Sequence, residues 1–598
     1  MKRRKNKYDD HTDIAPDEIF LDDKNIPDFD VHQFEGRIEE PIKKSTIILL
    51  GAFFLFVTMI FLGRAGILQI GRGAVYAKTS EQNSLEHQLL FPERGIIYDR
   101  NGLELAWNIP APEALGFSLR NYITDPGFGH ILGFLHYPAR DKSGVYYRKD
   151  YEAPIGIESY YNEILKGKKG LRIIETDALG NVISSNTIDP PQSGTDLHLT
   201  IDGKVQENFY RIVAKIANDQ DYRGGAGAIM DIDNGELIAL VSYPDFDPNI
   251  MTAGDDRAAI QKYNSDIRTP FLNRAISGLY APGSIVKPMF ATGALNEGIL
   301  TPYTRIQSVG YIAIPNPYFP DKETRFNDWK AHGWLDMRTA IAQSSNVYFY
   351  EVAGGYKDQK GLGIRNVEKY ARMFGYGSTT GIDLEGEAEG TIPNPEWKEK
   401  NFPNDPTWRI GDTYFTGIGQ YGMQATLLQA LKEASVIASR GRVVTPHLAK
   451  EIPNATTSQL DIPEAYFTVI QEGMRKGAIE GTAKLLNFPY VKIAAKTGTA
   501  ELGVTKARVN SWVIGFFPYD HPKYAFAVVM DRGVKGNTTN ASFTAALLFK
   551  WLAGNAHEYL GRDTPVVFDV PAVISPVIGS STQAAISPSG ATSTSDLR

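Results

Sequence analysis

The sequence lacks cysteine altogether, and neither sign of charge is in large excess. Without cysteine the chain can form neither disulfide bonds nor thiolate metal sites. Its 62 lysine and arginine residues stand against 69 aspartate and glutamate residues, a formal net charge of −7. A protein whose main partner is nucleic acid usually carries a clear basic excess. We therefore expect no nucleic-acid partner, and the 598 residues suit two or three domains with tails.

Long apolar runs are also scarce, with one exception. Residues 45–63, STIILLGAFFLFVTMIFLG, contain no charge. This is about the length that a helix needs to cross roughly 30 Å of hydrocarbon. Because the run lies well inside the chain and lacks a small-residue cleavage site, it does not fit a cleaved signal peptide. We predict a single transmembrane helix over residues 45–65.

The basic residues around this run predict its orientation. Most of them precede it: Lys2, Arg3, Arg4, Lys5, Lys7, Lys43 and Lys44. Only Arg64 and Arg72 stand close on the other side. The positive-inside rule then leaves the N-terminus in the cytoplasm. The chain after residue 65 is expected outside the cytoplasmic (inner) membrane, in the periplasmic or extracytoplasmic space.

Composition divides the rest of the chain into four regions. Residues 1–44 are rich in aspartate and poor in aromatics, which predicts a disordered cytoplasmic tail. Residues 66–215 combine short strands with glycine and proline breaks. In residues 216–560 strand patterns at both ends flank a mainly helical middle, which predicts one α+β domain. Residues 561–598 are rich in Ser, Thr, Ala and Pro and predict a disordered tail.

Local patterns predict several individual elements. Asn101-Gly102 and Asn234-Gly235 follow apolar runs and predict tight turns between strands. Helical patterns cover residues 66–90, 337–353, 425–439 and 541–553, and strand patterns cover residues 490–500, 509–518 and 524–532.

The first motif with chemical content is Ser284-Ile-Val-Lys287, preceded by Pro282-Gly283. The turn places the serine near a helix start, where unpaired N–H groups favour negative charge. A spacing of three residues puts Lys287 on the same helix face as Ser284. Such a lysine can remove the serine proton if burial and neighbours lower its pKa. Alone, a Ser-x-x-Lys pattern is common by chance.

Two further motifs follow. In Ser344-Ser345-Asn346, a hydroxyl and an amide could pass protons and hold a peptide group; the alternative is a helix cap or a polar kink. In Lys496-Thr497-Gly498-Thr499, a cation and a hydroxyl at a strand edge suit a carboxylate ligand. Gly498 would let a substrate backbone approach closely, whereas the alternative is a solvated strand end. In this order the three motifs are the signature of penicillin-binding proteins and class A β-lactamases.

The resemblance extends beyond the motifs. The chain resembles the class B penicillin-binding proteins in RGIIYDRNG (94–102), GIESYYNEILKGKKG (156–170) and NRAISGLYAPGSIVKP (273–288). It resembles their elongation-type branch in FNDWKAHGW (326–334), TGIDL (380–384) and WRIGDTYFTGIGQ (408–420). The similarity spans about residues 45–556, and one departure is Tyr421, where the family usually has glycine. The resemblance implies a β-rich pedestal of the dimerisation type, followed by a transpeptidase domain whose antiparallel sheet is flanked by helices.

The resemblance also implies roles for the motif residues. Ser284 would be the acylated nucleophile, Lys287 its general base and Ser344 a proton relay to the leaving amine. Asn346 would hold the donor peptide, and Lys496 and Thr497, beside Gly498, would bind the terminal carboxylate of a D-Ala-D-Ala stem. The backbone N–H groups of Ser284 and Thr499 would form the oxyanion hole. Arg94, Asp99 and Glu158 would be scaffolding residues of the pedestal.

These roles imply cross-linking of peptidoglycan stem peptides during cell elongation and shape maintenance, with β-lactams as covalent inhibitors. Only about 30 residues separate the apolar run from Arg94, too few for a glycosyltransferase domain. We therefore expect a polytopic glycosyltransferase of the SEDS type as partner, with other membrane proteins of the elongation complex. No cofactor is expected. No metal is expected either: His332 near Asp328 resembles a region where some relatives bind zinc, but a lone loop histidine is more often structural.

Other functions remain open at this point. A β-lactamase or β-lactam sensor could share the fold, but no Glu-x-x-x-Asn stands between Asn346 and Lys496; Glu396 and Glu399 lie near Asn401 at the wrong spacing. A D,D-carboxypeptidase needs only water in place of the acceptor amine, and a division-type class B protein would carry the same motifs. A catalytically inactive scaffold is disfavoured because all three motifs are intact.

Overall fold

The computed structural model describes residues 43–83, 85–112, 115–142, 145–176, 182–316, 319–450 and 457–568. The predicted tails therefore fall almost wholly outside the described residues: all but 43–44 of the N-terminal tail, and the C-terminal tail beyond 568. Contacts divide the chain into two units. One unit contains the described residues of 1–88 and 172–188, and the other contains those of 89–171 and 189–598.

The first unit begins with the predicted apolar helix. It runs from Lys44 to Gly66 and continues as a π-helical turn over Ile67–Gly71. None of its most apolar window is buried against protein, and within the described residues it is the one helix long and apolar enough to cross a membrane. This helix bears out the prediction that one segment of the chain has the length and composition of a membrane span.

A second helix and a small sheet complete this unit. The helix Gly73–Asn83 is followed by a strand, Leu85–Leu90, of a three-stranded sheet. The middle strand Gly170–Thr176 pairs with Leu85–Leu90 on one side and with Val182–Asp189 on the other. The helix predicted over 66–90 is therefore wrong at its C-terminal end. Pairing with a strand some 80 residues later outweighs the local helical pattern there.

In the second unit, residues 89–171 and 189–202 form small sheets and single-turn helices. A four-stranded sheet has the order Leu119–Tyr122, Glu104–Ile109, Ile97–Tyr98, Leu197–His198, and the turn at Asn101-Gly102 lies between its first two strands in sequence. The remaining elements are the hairpin Ala139–Arg140/Tyr146–Arg148 and the short helices Gly129–Leu132, Ile157–Tyr160 and Asn162–Leu165.

A buried ion triad holds this region together. The Glu158 carboxylate accepts from Arg94 Nε at 2.5 Å and from Arg120 Nε at 2.7 Å, and all three side chains are buried. Asp99 accepts hydrogen bonds from the backbone N–H groups of Leu103 and, across the chain, Gly203. Loss of Glu158 would leave two guanidinium groups buried and unpaired, at a cost of about 3–5 kcal/mol. The contacts support the scaffolding role expected for Arg94, Asp99 and Glu158.

A five-stranded antiparallel sheet forms the centre of the α+β region. Its strand order is Leu237–Tyr243, Gly224–Asp231, Tyr524–Val534, Arg508–Phe517 and Ala494–Leu502. The first two strands pair around Asn234-Gly235, as predicted, and Gly235 has φ +86°. The three C-terminal strands also lie where the sequence predicts them. The α+β fold class is confirmed.

Helices cover both faces of this sheet. Gly203–Asp219 and Ala541–Asn555 pack on one face, where a Cβ at Gly227 would lie 2.1 Å from the Phe209 ring. The predicted boundary between 215 and 216 falls inside the first of these helices. Most of the remaining helices form a layer on the other face of the sheet and a helical region next to that layer. They are Lys287–Asn296, Met337–Gln343, Asn346–Gly354, Gly363–Met373, Pro395–Asn401, Ile410–Thr416, Leu427–Ala438 and Glu464–Glu480.

Short peripheral elements account for the rest. They are the antiparallel strand pairs Ile306–Ser308/Gly333–Leu335, Tyr311–Asn316/Phe319–Asn327 and Arg442–Val444/Thr457–Gln459, and the helices Pro248–Ala253 and Arg257–Ser265. Short 3-10 turns cover Gly283–Val286, Lys484–Leu486 and His557–Leu560.

Candidate active site

The 3-10 turn Gly283–Val286 carries Ser284, the predicted nucleophile, and is called the nucleophile turn below; it runs directly into helix Lys287–Asn296. Gly283 has φ +59°, a conformation that glycine adopts without strain. Ser284 is partly exposed, whereas Lys287, one turn further on, is fully buried. The serine therefore stands at a helix start with the lysine beneath it, as the motif predicts.

Lys287 is held by the second motif. Its Nζ donates to the Ser344 carbonyl oxygen and to Asn346 Oδ1, both at 2.8 Å. Burial lowers the pKa of Lys287 to about 7, while the negative charge of Asp328 acts in the opposite direction. At neutral pH a large fraction of this amine is therefore uncharged and able to accept a proton, which is what a general base requires.

Lys496 contacts the same serine from the other side. Its Nζ donates to Ser344 Oγ at 2.8 Å and to the Thr497 carbonyl oxygen at 2.7 Å. Burial, with the nearby charge of Lys287, lowers the pKa of Lys496 well below its usual range. Ser344 thus joins the two lysines, through its carbonyl to Lys287 and through its hydroxyl to Lys496. The four predicted residues Lys287, Ser344, Asn346 and Lys496 form one hydrogen-bonded group.

The backbone around Ser344 explains its placement. Helix Met337–Gln343 ends there because Ser344 adopts a left-handed conformation with φ 57°. Ser345 then caps the next helix, and its Oγ accepts from the Tyr348 N–H at 3.3 Å. The helix predicted over 337–353 is therefore two helices. The cap interpretation of this motif is therefore confirmed for Ser345, and the break between the two helices places the Ser344 hydroxyl against Lys496.

Asp328 is a functional-site residue that the sequence did not single out as such. One carboxylate oxygen accepts from Ser345 Oγ at 2.6 Å and Val347 N at 3.0 Å, and the other accepts from Asn346 N at 2.9 Å. Burial alone would raise the pKa of Asp328, but these hydrogen bonds outweigh it and lower the pKa. The acid thus fixes the helix start that presents Asn346. Asp328 lies 17 residues before Ser345, so no local pattern in the sequence marks this contact.

The third motif lies on the edge strand Ala494–Leu502 of the central sheet. A Cβ on Gly498 would lie 2.8 Å from the Pro282 carbonyl oxygen, and one on Gly283 would lie 2.8 Å from the Thr499 carbonyl oxygen. Both glycines therefore let the strand and the nucleophile turn come into backbone contact. The sequence predicted a close approach of a substrate backbone to Gly498; in the structure the backbone close to Gly498 is that of this turn. Thr497 Oγ1 bonds to Thr482 Oγ1 at 2.7 Å, and Thr499 is exposed.

Glu433 is a second residue that sequence reasoning missed. It is fully buried on helix Leu427–Ala438, and one of its oxygens accepts from Tyr376 Oη at 2.5 Å. Burial raises its pKa to about 8, and the charge of Lys496 acts in the opposite direction. Nothing in the sequence around this lone glutamate, which stands inside an apolar helical pattern, indicates that it lies near Lys496.

His332 lies beside Asp328, with Nε2 3.6 Å from Oδ1. In the part of the chain that the structure describes, no group of three or more histidine and acidic residues is arranged to hold a metal ion.

The polar groups of the site include a hydroxyl on a helix start, two buried amines and a bridging hydroxyl. Such a set suits acyl transfer through a serine ester.

Comparison with known families agrees with this geometry. A model of the penicillin binding protein transpeptidase domain matches residues 225–549, and a model of the penicillin-binding protein dimerisation domain matches residues 117–199. The first match covers more than half of the chain. The chain belongs to the penicillin-binding protein transpeptidase family, and with both domains it is of class B, which confirms the resemblance seen in the sequence.

Individual relatives point to the elongation-type branch. The peptidoglycan D,D-transpeptidase MrdA of Escherichia coli K12 is 29% identical, over 88% of this chain and 96% of its own length. The structure of Pseudomonas aeruginosa PBP2 in complex with WCK 5153 has a TM-score of 0.66 and 29% identity, covering 80% of this chain and 100% of that one. PBP2 of Helicobacter pylori, solved in complex with MreC, has a TM-score of 0.65 and 26% identity, covering 78% and 98%.

Proposed function

We propose that this chain is an elongation-type peptidoglycan D,D-transpeptidase that cross-links stem peptides through an ester on Ser284. The observation that carries the proposal is the hydrogen-bonded group of Lys287, Ser344, Asn346 and Lys496 beside the nucleophile turn. The names of the MrdA and PBP2 relatives agree with it.

In the first half-reaction Ser284 Oγ attacks the carbonyl carbon of the penultimate D-Ala, and its proton passes to the neutral amine of Lys287. The oxyanion that forms would be bound by the N–H groups of Ser284 and Thr499. The backbone contact between Gly283 and Thr499 supports this pairing. The C–N bond then breaks, and terminal D-Ala leaves with a proton relayed through Ser344.

In the second half-reaction the amine of a neighbouring stem attacks the ester carbon. The amide bond forms, the C–O bond breaks, and the amine proton returns to Ser284 Oγ through Lys287. Asn346 would hold the donor peptide, and Lys496, Thr497 and Gly498 at the strand edge would receive its terminal carboxylate. The hydrogen bond from Lys496 to Ser344 Oγ supports a route for protons between the carboxylate subsite and the leaving amine.

The test is a reconstituted cross-linking reaction. The detergent-purified chain is given uncross-linked glycan that carries D-Ala-D-Ala stems, and the digested products are separated by mass. We expect cross-linked muropeptides with release of D-Ala, and neither from Ser284→Ala. D-Ala release without cross-links would instead identify a carboxypeptidase, and an inactive wild type would leave only a scaffold.

The membrane arrangement is part of the proposal. The helix at residues 45–65 is a single anchor with its N-terminus inside, residues 66–215 form the pedestal, and residues 216–560 form the catalytic domain. The helix Lys44–Gly71, with its large exposed apolar side chains, supports the anchor. Topology reporters fused at positions 40 and 560 should report opposite sides of the membrane. The same side for both would contradict this arrangement.

The partner is proposed to be a SEDS-type glycosyltransferase within an elongation complex. The H. pylori relative solved with MreC supports partners of the elongation complex, because that protein shares the fold over most of this chain. The purified chain alone should leave lipid II unpolymerised, and glycan synthesis should require the added membrane partner. Glycan strands made by the chain alone would contradict the proposal.

A further inference from the structure

Tyr421 has a backbone conformation that a bulky side chain rarely adopts. Its φ is +60°, in the left-handed region. Such conformations persist only where the surroundings impose them, and they concentrate at functional sites. The residue follows the Ile410–Thr416 helix and the turn after it, and lies close in sequence to the backbone contacts of the nucleophile turn.

The loop that contains Tyr421 is hydrogen-bonded to the segment that carries Ser284 at two places, one before Tyr421 and one after it. The Gly283 N–H donates to the Gly419 carbonyl oxygen at 2.9 Å. A few residues later, Ala425 and Tyr280 exchange two backbone hydrogen bonds, at 2.9 and 3.0 Å. Tyr421 stands between these two connections, so its conformation determines how residues 419 and 425 are spaced against the nucleophile segment.

The Tyr421 ring lies in an aromatic box, formed with Trp397, Phe402 and Trp408. The ring centroids of these three lie 6.0, 6.3 and 5.8 Å from that of Tyr421, and the Phe402 ring is stacked on it. The box is tight on the Trp397 side, because a Cβ on Gly422 would come within 2.4 Å of that ring.

The box covers a buried ion pair. Lys398 Nζ lies 2.6 Å from Asp412 Oδ2 and 5.7 Å from the centroid of the Tyr421 ring. The same Asp412 oxygen accepts the Arg409 N–H at 2.8 Å and so caps the Ile410–Thr416 helix. The end of that helix is bonded to the loop, since Gly419 N donates to the Thr416 carbonyl oxygen at 3.0 Å. A continuous set of contacts therefore runs from the box to the nucleophile turn.

We propose that Tyr421 is a positioning residue for Ser284, because its ring closes the aromatic box over the Lys398–Asp412 pair and thereby holds the Gly419 carbonyl against the nucleophile turn. The Gly283 N–H that this carbonyl accepts belongs to the residue directly before Ser284. A shift of the loop would tilt the Ser284 N–H and Oγ together. The acylation step would suffer, while the subsite on the edge strand would still bind its ligand.

The experiment measures acylation by fluorescent penicillin at many drug concentrations, which separates the dissociation constant from the rate constant at saturation. It rests on the proposed acylation of Ser284, which wild-type labelling and Ser284→Ala check separately. Tyr421→Gly and Tyr421→Asn both accept a positive φ but lose the ring. We expect each to reduce the saturating rate constant about tenfold to a hundredfold, with the dissociation constant unchanged. Tyr421→Phe keeps the ring but loses the hydroxyl that interacts with Lys398 and Asp412, so its rate constant should lie between those of wild type and Tyr421→Asn.

Two further variants keep the result interpretable. Arg440→Gly removes another left-handed side chain (φ +57°) from an exposed position and should acylate like wild type. Phe402→Ala removes the exposed ring stacked on Tyr421 without touching the Tyr421 backbone, and should lower the same rate constant. This variant therefore tests the aromatic box even if Tyr421→Gly does not fold. A wild-type rate constant in Tyr421→Asn, or a loss confined to the dissociation constant, would overturn the proposal even where wild type is labelled at Ser284.

Discussion

Replacement of Asp328 by asparagine tests the electrostatics of the site. The carboxylate accepts hydrogen bonds from Ser345 Oγ, Val347 N and Ser308 Oγ on one oxygen, and from Asn346 N and Trp329 N on the other. The amide keeps one oxygen, which the three donors of the first group retain. The N–H groups of Asn346 and Trp329 then face an NH2 group and lose their acceptor. Two lost charge-assisted bonds and three weakened ones predict a loss of about 3–6 kcal/mol in the free energy of unfolding.

The same change alters Lys287. The negative charge of Asp328 raises the pKa of Lys287 against the effect of burial, and the balance is a pKa of about 7. Asparagine removes the charge, so the pKa of Lys287 falls further. Since the uncharged amine is the base, the acylation rate of wild type should rise with pH through about 7, and that of Asp328→Asn should begin its rise at lower pH.

The assay combines urea unfolding with fluorescent-penicillin acylation rates measured between about pH 5 and 9. This pH range brackets the near-neutral pKa values that catalytic bases usually have. Ser308→Ala is the matched control. It removes one hydrogen bond to Asp328 without a charge, and should cost about 1 kcal/mol while leaving the pH profile in place. A profile of Asp328→Asn that stays where it was, or moves to higher pH, would refute the reasoning.

Three further outcomes follow from the site geometry. Lys287→Ala should slow acylation about 10²–10⁴-fold, measured as the labelling rate at saturating penicillin, with thermal unfolding as the check on folding. Lys496→Ala should mainly raise the penicillin concentration needed for half-maximal labelling, because the carboxylate loses the Nζ hydrogen-bond donor of the proposed subsite; an unchanged concentration would contradict the subsite. Gly498→Ala should impair labelling and stability together, since its Cβ would lie 2.8 Å from the Pro282 carbonyl oxygen; wild-type values for both would show that the turn can move away.

Much of this architecture could be predicted because its signals are local. The apolar runs of the central sheet, the Asn234-Gly235 turn and the three motifs each lie within a few consecutive residues. The motifs also predicted which side chains meet, and in the structure Lys287 and Lys496 both donate hydrogen bonds to Ser344.

The rest depends on contacts between residues far apart in the chain. Nothing in the apolar pattern of residues 337–353 marks the left-handed conformation of Ser344, which depends on contacts with Lys287 and Lys496. Asp328 and Glu433 are single acids whose role depends on what they are buried against. The strand Leu85–Leu90 forms only because Gly170–Thr176 lies beside it. Its own residues read as the end of a helix.

Mass spectrometry of the penicillin-treated protein is the sharpest test of the proposal that Ser284 forms the acyl-enzyme. The detergent-purified chain is exposed to penicillin, digested and searched for a peptide heavier by one penicilloyl group. We expect one such adduct, on the peptide containing Ser284, and no adduct in Ser284→Ala, a variant that removes a single partly exposed hydroxyl and should fold like wild type. An adduct on another residue, or one that persists in Ser284→Ala, would contradict it.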